Sequence, residues 1–193
     1  SKAGPFTPES GRYALYVSYA CPWAHRTLIY RELKGFQNHI SVSVVHPDMM
    51  DQGWTFETNF PDTTGDDLYH QSHLFEIYQK AKTDVSTSVT VPVLWDKKHQ
   101  TIVNNESSEI IRFFNQEFNE MTGNEEDYYP EALRDEIDQI NENIYHNINN
   151  GVYKSGFAGN QEAYEIVVTK LFNSLDELEQ ILEGKKYLIG NQL

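Results

Sequence analysis

The spacing of apolar residues changes several times along the chain, and each change predicts an element. Residues 13–18, "YALYVS", are a short run of aromatic and β-branched types that suits a buried strand. From Pro22 the apolar positions Ala24, Leu28, Ile29 and Leu33 recur at helical spacing until Gly35 ends the run. Ile40, Val42 and Val44 then alternate as a second strand. Residues 48–67 are polar and contain Gly and Pro, which predicts a loop of unusual length, a kind that is more often functional than merely connective. Leu68, Phe75, Ile77 and Tyr78 predict a helix over 68–81. "TVPVLWDKKHQTIVNN" reads as strand, polar turn and strand, and "ESSEIIRFFNQEF" as a third helix. After about residue 124 the strand signals stop. Leu133, Ile137, Ile140, Ile144 and Ile148 line one face of a long helix, and Val167, Val168, Leu171, Leu175, Leu178, Ile181 and Leu182 line another.

The order is therefore β-α-β, helix, β-β-α, and then helices alone. It predicts an α/β plus all-α fold: a small sheet with helices on its faces, followed by a separate helical domain. The boundary falls near 120–129, which divides the chain into a sheet domain over 1–123 and a helical domain over 124–193. "KKYLIGNQL" ends on Asn191, which looks like a helix N-cap with no helix after it, so the C-terminus is expected to be truncated and the helical domain incomplete.

Charge and cysteine usage narrow the function. The formal net charge is −14, from 15 Lys+Arg against 29 Asp+Glu, which argues against general binding to nucleic acid or to an anionic membrane. No run approaches the roughly 18 apolar residues of a membrane helix, and the first residues do not read as a signal peptide. One cysteine excludes an intrachain disulfide and favours a reducing compartment, so a cytoplasmic location is expected.

That single thiol, Cys21 in "YACPWAHR", lies where the first strand gives way to the first helix. The free backbone N–H groups and positive dipole end of a helix N-terminus stabilise an anion, so the position suits an activated thiol. Pro22 fits the first helical position, where a missing N–H costs nothing. A free cysteine before proline also fits a buried structural thiol, a common fate for the residue. The strand before it, the helix after it and a Val91–Pro92 pair at the start of a later strand favour the reactive reading.

These residues carry a family resemblance. "CPWA" resembles a thioredoxin-type C-x-x-C motif whose second cysteine has become Ala24, and "TVPVL" resembles that fold's cis-proline element. "VNNESSEII" resembles the glutathione-binding segment of glutathione transferases. Together with "GWTF" and "NNGVYKSGFAGNQEAYE", they resemble the omega-like glutathione transferases, specifically the xi class or glutathionyl-hydroquinone reductases of fungal and bacterial type. The resemblance implies a glutathione transferase fold with an N-terminal thioredoxin-like domain. It also implies glutathione as co-substrate, no metal, an aromatic hydroquinone-type acceptor and a homodimer. The implied reaction is reduction of S-glutathionyl-hydroquinones through a mixed disulfide of Cys21 with glutathione. With no second cysteine in the chain, an external thiol has to resolve that disulfide. A dehydroascorbate reductase, a glutaredoxin-like deglutathionylase and a non-catalytic glutathione-transferase-like binding module remain as alternatives.

The resemblance also assigns binding residues. Glu106 and Ser107 correspond to the pair that holds the γ-glutamyl end of glutathione, although "NESSE" reads equally as a plain helix cap. Val91 corresponds to the residue whose backbone meets the cysteinyl part, and the Val91–Pro92 bond is expected to be cis. Trp54 of "GWTF" corresponds to a tryptophan that packs on glutathione, and Tyr153 to one lining the aromatic acceptor site. One departure stands out: where the family carries an arginine shortly before "TVPVL", this sequence has Ser88. His70 and His73, three apart on the expected helix, match a metal-ligand spacing but lack a third ligand.

Overall fold

A computed structural model describes residues 4–84 and 86–193, which form two compact units, Ser1–Asp127 and Tyr128–Leu193. The first contains β1 (Tyr13–Val17), α1 (Pro22–Leu33), β2 (Ile40–Val44), α2 (Leu74–Ala81), β3 (Val93–Asp96), β4 (Thr101–Asn104), α3 (Ser107–Gln116) and the short α4 (Asn119–Thr122). The four strands form one sheet in the order β2-β1-β3-β4. β1 pairs parallel to β2, with Leu15 opposite Val42, and antiparallel to β3, with Leu15 opposite Leu94. This is the thioredoxin-like arrangement: a β-α-β unit joined to a β-β-α unit.

Every residue of β1 is buried, which explains its run of apolar residues without polar alternates. Its side chains feed two aromatic layers. On one face Tyr13 meets Phe118 with ring centroids 5.3 Å apart, and Phe36, Phe114 and Phe118 pack mutually at 5.5–5.9 Å. On the other, Tyr16 packs against Phe56 and Trp95, while Trp95 meets Tyr69 edge-on and donates its indole N–H to the Tyr69 hydroxyl at 3.0 Å. Such edge-to-face pairs add to the area buried.

The helix expected over 68–81 begins only at Leu74. Asp66 accepts the backbone N–H groups of Leu68 at 3.2 Å and Gln71 at 3.0 Å, which commits the chain to a turn, and His70 has φ 55°. Glu76 then reaches back to accept from the N–H groups of Ser72 and His73, at 2.9 and 2.8 Å, and so fixes the helix start. His73 is thus the cap residue, and His70 and His73 do not share a helical face.

The first unit runs through Asp127. The cause is a set of polar ties to α1 and α3. The buried Lys34 ammonium donates to the carbonyl oxygens of Asn115 and Glu126, Asn115 Nδ2 donates to Asp127 Oδ1, and Asn124 Nδ2 donates to the Leu33 carbonyl at 2.9 Å. Burial pushes the Lys34 amine below its ordinary value, against the opposing pull of Asp127 and Glu126.

In the second unit the long apolar stripe lies on one helical path with one interruption. A 3-10 turn at Glu131–Leu133 leads into α5 (Arg134–Asn143), a π segment covers Ile144–Asn149, and α6 (Asn150–Gly156) follows. α7 (Gln161–Leu182) is capped by Asn160, whose Oδ1 accepts the Ala163 N–H at 2.9 Å. Gly151 is buried against Leu171: a Cβ there would lie 3.3 Å from Leu171 Cδ1, so glycine lets α6 and α7 approach closely. Among the described residues no helix is long and apolar enough to cross a membrane.

Candidate functional site

Strand register brings four loops to one end of the sheet. β1 ends at Val17 and β2 at Val44 on the same side, because the two run parallel. β3 begins there, since Tyr16 pairs with Val93, and β4 ends there, since Leu94 pairs with Asn104. Cys21 follows β1, Trp54 follows β2, Val91 precedes β3 and Glu106 follows β4. Residues distant in sequence therefore converge by topology alone.

Cys21 is the N-cap of α1, with extended φ −97° and ψ 113° and Pro22 in the first turn. A tight turn delivers it there: the Cys21 N–H donates to the Ser18 carbonyl at 3.1 Å, and the Cys21 carbonyl accepts from His25 N–H at 3.1 Å as the helix begins. The thiol is 9% exposed, so it is covered but not sealed. Its sulfur donates to the Val91 carbonyl oxygen at 3.5 Å, and the Val91–Pro92 bond is cis. His25, next along the helix, is exposed.

At α3, Glu106 is the N-cap, and its Oε1 accepts from both the N–H and the hydroxyl of Ser108, each at 3.1 Å. Ser107, the first helical residue, is buried. The capping chemistry of "NESSE" is therefore present, and it aims the first N–H groups of α3 at the same end of the sheet as the thiol.

Trp54 is half-buried against the core of the first unit, and its carbonyl accepts the Leu74 N–H at 2.9 Å. The long loop around it is tied down at several points. The carbonyl of Thr55 takes the His46 N–H at 2.9 Å, and Phe56 N–H donates to Ser72. Tyr16 donates its hydroxyl to Asp66 Oδ1 at 3.1 Å. Burial, with the Asp66 carboxylate alongside, pushes the Tyr16 phenol well above its ordinary value, so it remains a donor. Sequence reading missed Asp66 as an anchor. The signal was there in "TGDDL", an aspartate placed to accept from the N–H two residues on.

Ser88 is exposed. Tyr153 lies on α6 of the second unit, 38% exposed. Among the described residues no group of His, Cys, Asp or Glu could hold a metal ion.

A thiol at the cap of the first helix, facing the carbonyl before a cis-proline, defines a thioredoxin-like domain built around a single cysteine. Residues 20–117 match the glutathione S-transferase N-terminal domain family. Over 190 residues the chain is 57% identical to the glutathionyl-hydroquinone reductase YqjG of Escherichia coli, covering 98% of this chain and 58% of that protein. It is 53% identical to the glutathione S-transferase omega-like 2 of Schizosaccharomyces pombe, covering 97% of this chain and 62% of that one. Among solved structures, glutathione transferase Xi 1 from Trametes versicolor superposes with a TM-score of 0.97 at 56% identity, over all of this chain and 68% of the other. The glutathione-bound structure of E. coli YqjG superposes with a TM-score of 0.94 at 56% identity, over 98% of this chain and 64% of the other. The chain belongs to the glutathione S-transferase family and, within it, to the xi class. It has the glutathione transferase fold, and it spans about 60% of the length of these curated relatives.

Proposed function

We propose that this chain is the thiol-bearing part of a glutathione-dependent enzyme that reduces S-glutathionyl-hydroquinones. The observation that carries the reading is the single cysteine at the N-cap of α1, with its sulfur 3.5 Å from the Val91 carbonyl oxygen. The names of the relatives support the substrate class, and the glutathione-bound structures of two of them support the co-substrate.

In this reading the Cys21 thiolate attacks the glutathione sulfur of the conjugate. A sulfur–sulfur bond forms and the carbon–sulfur bond breaks, and the ring carbon keeps the electron pair and takes a proton, releasing the hydroquinone. A second glutathione thiolate then attacks the mixed disulfide, releasing oxidised glutathione and restoring Cys21. Ala24 stands where a two-cysteine enzyme would close its own disulfide, which makes the second glutathione obligatory.

The binding roles are those that the family resemblance implies. Val91 offers its backbone N–H and C=O to the cysteinyl part of glutathione. Ser107 and the N-terminus of α3 receive the γ-glutamyl carboxylate. Glu106 faces its ammonium through Oε2, Oε1 being taken by Ser108. Trp54 covers the tripeptide from the long loop, and Tyr153 meets the aromatic acceptor, where a phenol can stack on a quinol ring and bond its hydroxyl. A homodimer and a cytoplasmic location belong to the same reading, and sedimentation of the purified protein tests the first.

The deciding experiment offers the purified protein glutathione with three acceptors in parallel: a glutathionyl-hydroquinone, dehydroascorbate and a chloronitrobenzene. Turnover should be fastest with the first and should fall to background in Cys21→Ala. Turnover that survives Cys21→Ala, or activity toward the chloronitrobenzene alone, would refute the thiol mechanism.

A further inference from the structure

One hydroxyl joins two of the loops that meet at the thiol. Tyr78, on the buried face of α2, is 2% exposed. Its phenol donates to the Thr90 carbonyl at 2.9 Å and accepts from the Thr90 N–H at 3.2 Å, so a single oxygen grips both backbone groups of that residue. It also accepts from Asn105 Nδ2 at 3.3 Å, and the same nitrogen reaches Thr90 Oγ1 at 3.3 Å. A phenol has one proton to give and two lone pairs to fill, and all three are used here.

The residues it holds are the ones just before the site. Thr90 precedes Val91, whose carbonyl takes the thiol of Cys21, and Asn105 precedes Glu106, the cap of α3. Thr90 and Asn105 are both exposed, so neither is fixed by burial. We propose that Tyr78 is a positioning residue for glutathione: its hydroxyl sets the spacing between the Val91 backbone and the N-terminus of α3, the two places where the tripeptide would be held. The inference rests on the glutathione reading above and deepens it. Glutathione has to bridge both segments at once, and a shift of a fraction of an ångström in either misaligns the other. Preorganisation of this kind lowers the cost of binding without touching the ligand.

The test compares the purified protein with Tyr78→Phe by two readouts: the calorimetric Kd for glutathione, and the rate of Cys21 alkylation by iodoacetamide without glutathione. Kd should rise about fivefold to tenfold, the effect expected for a shared hydrogen-bonded hub. The alkylation rate should change by less than the Kd does, because the hydroxyl reaches the thiol only through the Val91 carbonyl, and a Kd that changes no more than the alkylation rate overturns the proposal. A Tyr78 that served stability alone would lower the thermal midpoint and leave the Kd of the folded protein unchanged, and that result overturns the proposal. If Tyr78→Phe does not fold, Asn105→Ala decides at an exposed position. A rise in Kd of about twofold to threefold supports the hub, as expected for losing one of its hydrogen bonds, and an unchanged Kd overturns it. A wild-type protein that fails to bind glutathione would instead overturn the glutathione reading itself, so the two failures are distinguishable.

Discussion

The sheet is pinned at the end away from the thiol by a buried ion pair, and removing one charge of it should be costly. Arg12 Nε donates to Asp96 Oδ1 at 2.9 Å and its Nη2 to Oδ2, with both side chains at 3% exposure or less. Asp96 also accepts from the Lys98 N–H and His99 Nδ1, each at 2.8 Å, while Arg12 donates to the Pro5 carbonyl at 2.8 Å and Thr7 Oγ1 at 3.0 Å. In Asp96→Asn the shape survives, but a fork of guanidinium donors faces one neutral oxygen and an amide NH₂. Breaking a buried pair from one side costs about 3–5 kcal/mol, because the other charge stays buried without its partner. With a urea slope of about 2 kcal/mol/M, that moves the unfolding midpoint down by roughly 1.5–2.5 M. All three tryptophans, Trp23, Trp54 and Trp95, belong to the first unit, so their fluorescence reports its unfolding without contribution from the second. Arg12→Met should cost a similar amount, and the double variant Arg12→Met/Asp96→Asn less than the sum of the two, since no stranded charge remains. A shift below about 0.25 M for Asp96→Asn, or full additivity in the double variant, would refute the reasoning.

Three other outcomes follow from this pair and from two further sets of hydrogen bonds. Burial would raise the Asp96 carboxyl, but the hydrogen bonds from Arg12, Lys98 and His99 outweigh it and hold the group down, from 3.8 to about 2. Its stabilising contribution, on the order of 2 kcal/mol, is complete above about pH 4 and is lost as pH falls toward 2. The stability gap between wild type and Asp96→Asn should therefore narrow across that window, and a gap that stays constant in acid urea titrations would contradict the assignment. Asn160→Ala removes the side-chain cap of α7 and should cost about 1 kcal/mol, read as lost helical ellipticity on heating; an unchanged melt would mean that water caps the helix equally well. Asp66→Ala strands the Tyr16 hydroxyl and two backbone N–H groups at a cost of about 1–3 kcal/mol, and should expose residues 48–73 to limited proteolysis first. Cleavage that begins elsewhere would show that the loop is held by its other ties.

Local chemistry was legible in the sequence and long-range chemistry was not. The alternating and helical spacings located the strands and most of the helices, because period and cap residues act within a few positions of one another. Cys21 at the mouth of α1 and Glu106 at the start of α3 could be placed for the same reason: strand-to-helix junctions and capping residues are local signals. The start of α2 could not be read. The apolar spacing continues back to Leu68, while Asp66 and Glu76 impose a turn on those residues by capturing backbone N–H groups. The π segment at Ile144–Asn149 lies within an apolar stripe that looks regular, since an extra residue per turn shifts the face without changing which residues are apolar.

The element order, the identity of the one thiol and its place before a helix are written in the local pattern of residues. The tertiary structure alone decided which loops meet at that thiol and what holds them there. Arg12 and Asp96 stand 84 residues apart, and Tyr78 reaches a residue 27 positions away as well as one 12 away. No spacing rule connects such residues, because only the strand register and the burial of their polar atoms give each of them a partner to satisfy.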